Sequence, residues 1–297
     1  MQEYRKYLDP DTIAKIGNIE LKARMVVEGF ITGMHKSPYH GFSVEFSQHR
    51  QYRPGDEIRF IDWRVFARSG RYYVKEFEEE TNLRSMLCID SSASMKFSSK
   101  NRLSKFEYSC YLAAALSMLM IQQRDAVGLT LYNNKITSFL PPNSKPSYIS
   151  QILSVLENAV PSDVTGTAPA LELLSERIKR RGLVILFSDF LDDIKSIINA
   201  IRHLRHKRHE VLLFHILDPQ EIDFNFGNAA NFIDLETGEK IITQPYQIKK
   251  SYTETMNNFM NNLRKECIHH KVDYNLITTD VPFDKALMDY IIKRQKI

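Results

Sequence analysis

The chain has 297 residues, 43% hydrophobic and 26% charged, with a formal net charge of +4. That is the composition of an ordinary globular protein with room for one large domain or two smaller ones. A charge of +4 is too small by itself to point to nucleic acid, and no apolar run approaches the ~18 residues that cross a bilayer. Met1-Gln2-Glu3-Tyr4-Arg5 has no apolar stretch behind its charges, so no secretory leader is expected. The cysteines, Cys88, Cys110 and Cys267, are scattered and odd in number. They fit free thiols in a reducing cytoplasm and argue against a zinc site.

In chain order, a helix is expected near Asp9–Glu28. After it, Gly29, Gly33, Pro38, Gly41, Pro54-Gly55 and Gly70 cut the chain into short segments, which predicts an irregular or β-rich module over residues 1–84. From Ser85 the pattern changes to strand-like apolar runs alternating with helical periodicity. Met86–Ile89, Leu183–Phe187 and Val211–Leu217 are short, continuous and apolar, as in parallel strands buried on both faces. Phe106, Cys110, Ala113, Leu116 and Met120 mark one face of a long helix. Val127–Tyr132 and Ile136–Leu140 flank Asn133-Asn134, a hairpin that adds an antiparallel edge. Pro169 suits the first turn of a helix running to about Arg180. Asp192–Lys207 and Tyr246–His270 are further helices, Val272–Ile277 is a half-buried strand, and Phe283–Arg294 is a closing helix. The prediction is a doubly wound α/β domain with a mostly parallel sheet over residues 85–297.

Asp90-Ser91-Ser92-Ala93-Ser94 follows the first buried strand and opens a polar loop. One carboxylate and two hydroxyls spaced two apart can converge on one ion when the chain turns sharply. Such hard oxygen donors suit Mg²⁺, with Mn²⁺ or Ca²⁺ as alternatives, and not a soft metal. In open α/β sheets, loops beyond the carboxyl ends of the strands converge. Asp189 follows the second strand, and Gly166-Thr167 precedes a helix. Asp90, Ser92, Ser94, Thr167 and Asp189 can therefore meet from three loops, with Thr165 as a rival for the threonine place. The competing reading of the serine loop is a capped helix start.

This set resembles the metal-ion-dependent adhesion site of von Willebrand factor A domains. The resemblance implies Mg²⁺ held directly by Ser92, Ser94 and Thr167, with the aspartates partly acting through water. Upstream, Gly33-x-His35-x-Ser37-Pro38, Gly41-x-Ser43-Val44-Glu45-Phe46 and Tyr52-Arg53-Pro54-Gly55-Asp56-x-x-Arg59-x-Ile61-Asp62-Trp63 follow one another. Ala67-Arg68, Tyr73-Val74-Lys75-x-x-x-Glu79 and, later, Phe232-x-Asp234-x-Glu236-Thr237-Gly238-Glu239 continue the series. The string is similar to a bacterial domain-of-unknown-function family found beside MoxR-type AAA+ ATPases, whose members carry a von Willebrand A-like domain. That likeness implies a cytoplasmic, non-enzymatic interaction module, peripheral to the inner membrane through its partners. It would work with such an ATPase and capture an acidic side chain of a client.

Other features read more plainly. Arg53, Asp56, Arg59 and Asp62 suit a salt-bridged turn, and Trp63 a packing anchor. Arg202–His209 is the densest basic run, expected as a solvated helix end. It is also the motive for the alternative of a nucleic-acid-binding scaffold. Gly-x-Ser-x-Gly, a Gly-x-x-x-x-Gly-Lys phosphate loop and Gly-x-Gly-x-x-Gly are absent. An aspartyl-phosphatase reading wants an acid where Ser92 stands. A metal-dependent hydrolase is the least favoured alternative, since no general base accompanies the set.

Overall fold

The computed structural model describes residues 9–14, 18–35, 49–52, 63–75, 83–99, 102–226 and 230–294. The sequence strings at 36–48, 53–62 and 76–82, including Arg53, Asp56, Arg59, Asp62 and Glu79, lie outside the described residues.

The chain divides into two compact units, one of Met1–Gly33 with Leu83–Ile297 and one of Met34–Asn82. Met1–Gly33 groups with the α/β unit. The reason lies in the apolar face of helix α2 (Ile19–His35), which follows the short helix α1 (Pro10–Ala14). Ile19, Ala23, Val26, Val27 and Phe30 of α2 are buried, and Lys22 donates to the Tyr111 hydroxyl at 2.6 Å. In the smaller unit, β1 (His49–Gln51) pairs antiparallel with β2 (Tyr73–Lys75), and α3 (Trp63–Ser69) lies between them in sequence. Phe66 stacks on Tyr72 at 4.4 Å between ring centroids. Trp63 meets Phe66 edge-on and stays 55% exposed, so it anchors less than its size suggests.

The α/β unit is built on a six-stranded sheet. Its strands are β3 (Arg84–Asp90), β4 (Ala126–Tyr132), β5 (Ile136–Asn143), β6 (Leu183–Ser188), β7 (Glu210–Leu217) and β10 (Asp273–Thr278). Their order is β10-β7-β6-β3-β4-β5, parallel throughout except for the antiparallel edge strand β5. The three apolar runs singled out in the sequence are the central strands, and the Asn133-Asn134 hairpin supplies the edge. The fold is a doubly wound α/β sheet, as the alternation predicts.

Helices cover both faces. Met86, Cys88, Val184, Leu186, Val211 and Leu213 share one core with α6 (Thr167–Arg177), α7 (Ile194–His206) and α9 (Pro245–His269). Strand alternation turns Leu87, Ile89, Ile185, Phe187, Leu212 and Phe214 to the other face, which α4 (Lys105–Gln122) and α10 (Phe283–Arg294) cover. A capping box starts α4, with Ser104 Oγ accepting from Glu107 N and Glu107 Oε2 accepting from Ser104 N. Within the α/β unit, four described elements carried no sequence expectation: α5 (Tyr148–Asn158), α8 (Pro219–Asp223), and the hairpin strands β8 (Ala230–Ile233) and β9 (Lys240–Thr243).

Sheet order sets the location of the site. From β3 the chain winds outward to β4, then returns past β3 to β6 on its other side. The crevice between the carboxyl ends of β3 and β6 is the switch point where α/β sheets bind ligands.

Candidate metal centre

Asp90 is the last residue of β3 and is fully buried. One carboxylate oxygen accepts from Ser92 N at 2.9 Å and the other from Ser188 Oγ at 2.6 Å. The first contact turns the chain sharply, so Ser92 Oγ and Ser94 Oγ lie 3.1 Å apart at the strand tip. Ser188 ends β6 and also accepts from Phe190 N at 2.9 Å. Its hydroxyl thereby ties the two central strand ends together across the switch point. Phe190 sits at φ 50°, a left-handed conformation uncommon for a bulky residue, and this bends the chain directly after Asp189.

The third loop is stitched to the first by backbone hydrogen bonds. Ser162 N donates to Ser91 O at 2.8 Å, and Ala93 N donates to Asp163 O at 2.9 Å. From the β4–β5 turn, Asn133 Nδ2 donates to Asp163 Oδ2 at 3.1 Å. Gly166 then passes close to that turn. A Cβ there would stand 2.7 Å from Asn134 Cα, so only glycine admits this approach. Thr167, the first residue of α6, is delivered fully buried.

Among the described residues its hydroxyl has no partner at ordinary hydrogen-bond distance, nor has that of buried Tyr132. The two hydroxyls face each other loosely, and weak hydrogen bonding from Ser188 and then Thr167 lowers the Tyr132 phenol against the stronger upward push of burial. An unpaired buried hydroxyl costs free energy on the order of 1–3 kcal/mol unless something else meets it. Thr165, the rival threonine, is engaged elsewhere. Its N–H and Oγ1 donate to Glu236 at 3.1 and 2.5 Å.

Asp189 completes the set, with an ion pair the sequence gave no reason to expect. Its Oδ2 lies 2.7 Å from Lys105 Nζ, and the same ammonium lies 2.6 Å from Glu221 Oε1. Burial pushes the Asp189 carboxyl up, but the charge and hydrogen bond of Lys105 outweigh it and hold the group below its ordinary value. Ser94 lowers it further, which puts the second serine beside Asp189. Among the described residues Asp90 has no cation of its own. Burial first, and the Asp189 charge second, push it up to about 7 against its serine hydrogen bonds. Glu221 is also raised, by burial. One ammonium thus serves Asp189 and the mostly buried Glu221 while Asp90 stands beside them, a formal charge of −2 when all three acids are ionised.

The five sequence-derived residues, Asp90, Ser92, Ser94, Thr167 and Asp189, gather around the ends of β3 and β6. Reasoning from sequence missed Ser188, Lys105, Glu221 and Glu236. Ser188 could have been found as the hydroxyl beside Asp189, but nothing local marks Lys105 or Glu221. The donor set fits a hard divalent cation: oxygen ligands only, an orphaned hydroxyl and a deficit of positive charge. Among the described residues there is no group of three or more His, Cys, Asp or Glu side chains that could hold a metal, so any ion here would depend on the hydroxyls.

Residues 48–262 match the family model described as "Protein of unknown function DUF58". The chain belongs to the DUF58 family. A relative from Mycobacterium tuberculosis (strain ATCC 25618 / H37Rv), "Uncharacterized protein Rv1480", is 28% identical over 235 residues, covering 77% of this chain and 73% of its own. The crystal structure of an aerotolerance-related membrane protein from Bacteroides fragilis NCTC 9343 matches with a TM-score of 0.51 and 15% identity. The match covers 72% of this chain and 100% of that one, and at such identity it supports the fold alone. The SpRpn10 VWA domain matches more loosely, with a TM-score of 0.39, 11% identity, and coverage of 70% and 95%. Among the described residues of this DUF58 chain, no helix is long and apolar enough to cross a membrane.

Proposed function

We propose that this DUF58 chain is a non-enzymatic protein-interaction module whose binding site is completed by a divalent cation, Mg²⁺ in the first instance. The observation that carries the proposal is the buried Thr167 hydroxyl, which among the described residues has no partner at ordinary hydrogen-bond distance and stands with Asp90, Ser92, Ser94 and Asp189. Those five residues would hold the ion, and Ser188 orients Asp90 for it. A bound ion would supply a strong Lewis-acidic contact for a carboxylate. Three of the five donors are neutral hydroxyls and Lys105 already offsets Asp189, so a bound ion would keep part of its charge. An acidic side chain of another protein is therefore the natural visitor.

The partner we propose is a MoxR-type AAA+ ATPase, or a client that such an ATPase remodels, with this chain acting as adaptor or co-chaperone in the cytoplasm, peripheral to the inner membrane through its partners. The family resemblance supports this part. The test is capture of a purified MoxR-type ATPase on the immobilised chain, wild type beside Asp90→Ala and Ser92→Ala, in Mg²⁺ and in chelator. Retention by the wild type in Mg²⁺ alone supports the proposal. Equal retention in all arms rejects metal dependence, and no retention in any arm rejects this partner.

A second reading has its own observation. Lys105 already places a positive charge against Asp189, so the lysine could stand in the ion's place and hold the site's acids together with no metal, with docking carried by the surrounding loops. Capture that survives chelator and is lost in Lys105→Met would favour it. The nucleic-acid alternative has weaker support, because much of the basic run is engaged within the chain. Arg205 pairs with Glu210, Lys207 pairs with Glu176, and His209 is buried.

A further inference from the structure

The β8–β9 hairpin brings an acid to the rim of this site. Both oxygens of Glu236 are taken by Thr165, one by its N–H and the other by its hydroxyl. Thr165 stands two residues before Thr167, and α6 starts there, so the carboxylate also faces the positive end of an 11-residue helix. The hairpin tip is built to present it. Asp234 Oδ1 accepts from Glu236 N at 2.7 Å and Thr237 N at 3.1 Å, and Gly238, at φ 75°, closes the turn. At the hairpin base, Phe232 stacks on Phe224, which packs on Tyr252. The tip itself shows Ile233 and Leu235 to solvent, both about half exposed. Around the site, Val164 and Leu191 are similarly exposed.

A hairpin of this make-up, aromatic at its base and apolar on its open side, is held at its tip by one carboxylate. We infer that Glu236 is a built-in occupant of the docking face: it keeps the place that a partner takes with a Glu or Asp next to an aliphatic residue. Leu235-Glu236 is itself such a pair. The partner's acid displaces Glu236 from Thr165, the hairpin tip lifts, and Val164, Leu191 and the released Leu235 give an apolar rim for the aliphatic neighbour. The inference rests on the proposed function for which site is being covered. The contact between Glu236 and Thr165 does not depend on a metal.

The experiment compares amide hydrogen exchange in the full chain, wild type beside Glu236→Gln and Thr165→Val, with strands β3 and β6 as the folding control. The probe is a synthetic peptide of residues 230–243, with or without its own Glu236→Gln change. We expect about tenfold faster exchange at the hairpin and at the Thr165 amide in both variants, with β3 and β6 unchanged. We also expect the unaltered peptide, in excess, to restore protection at Thr165 in the Glu236→Gln chain and to do nothing to the wild type. Unchanged hairpin exchange in both variants, or equal protection by the two peptides, overturns the inference. Running each arm in Mg²⁺ and in chelator separates the two proposals. Protection by the peptide that is indifferent to Mg²⁺ supports the self-occupied dock and leaves the metal to be judged by whether Mg²⁺ alone slows exchange in the loops that carry Ser92 and Thr167. Loss of the latch signal with a normal Mg²⁺ response does the reverse.

Discussion

Lys105 Nζ lies 2.7 Å from Asp189 Oδ2, and both side chains are 1% exposed. The same ammonium serves Glu221, so removing it strands two buried carboxylates. Breaking a buried pair by deleting one partner costs about 3–5 kcal/mol. Lys105→Met should lose stability of that order in chelator, read as a lower denaturant midpoint at unchanged slope. Mg²⁺ should then stabilise Lys105→Met more than the wild type, because the ion would supply the missing charge. A variant as stable as wild type in chelator would show that the triad matters little, and one indifferent to Mg²⁺ would favour the lysine as the site's only cation.

Asp90 is the reverse case. Its carboxylate is buried, has no counter-ion among the described residues, and is held near 7 by burial and the Asp189 charge. At pH 8 the folded chain must bear that charge, so Asp90→Asn should stabilise the metal-free protein by on the order of 2 kcal/mol. The same change should remove the response to Mg²⁺. A residue kept at a cost to stability marks a functional site, and thermal melts of both proteins with and without Mg²⁺ would read the two effects together. Destabilisation in chelator would instead assign Asp90 a structural role through Ser92 and Ser188.

Thr167 gives a quieter test. Its hydroxyl has no partner at ordinary hydrogen-bond distance among the described residues, so Thr167→Val should leave the metal-free chain as stable as wild type or stabilise it, by up to on the order of 1–3 kcal/mol. Mg²⁺ affinity should fall at least tenfold, and Thr167→Ser should retain it. Equal Mg²⁺ affinity in Thr167→Val would remove this residue from the ligand set.

Stability should also depend on pH through His215, which is fully buried with Nδ1 2.7 Å from the Tyr274 hydroxyl. Burial depresses it to about 4 from its ordinary value of 6.5. The unfolded chain binds this proton first, so stability is complete above pH 6.5 and is lost as pH falls toward 4. The loss is on the order of 3 kcal/mol. His215→Gln should flatten the acid limb of a denaturation series, and an unchanged slope would point to another group.

Most of the fold was legible in sequence because its signals are local. The apolar runs at Met86–Ile89 and Leu183–Phe187 read as central strands buried on both faces, and Asn133-Asn134 marked its hairpin. The three site loops were legible because each begins or ends at such an element. The missed parts are contacts made at a distance. Lys105 is separated from Asp189 by 84 residues and from Glu221 by 116, and no spacing rule links them. In the same way Glu236 reaches Thr165 across 71 residues. The hairpin that carries it is short and half exposed, so its apolar pattern is too weak to announce a strand pair. Helix α2 was expected, but its place in the α/β unit was not, since a helical face does not say which core it joins.

The central claim is that Asp90, Ser92, Ser94, Thr167 and Asp189 complete their site with a divalent cation. Isothermal titration of the chelator-treated chain with MgCl₂, wild type beside Ser92→Ala and Thr167→Val, tests it most directly. The account predicts saturable one-to-one binding by the wild type, at least tenfold weaker in each variant. Heats for the wild type that match buffer, or that persist undiminished in both variants, would contradict it.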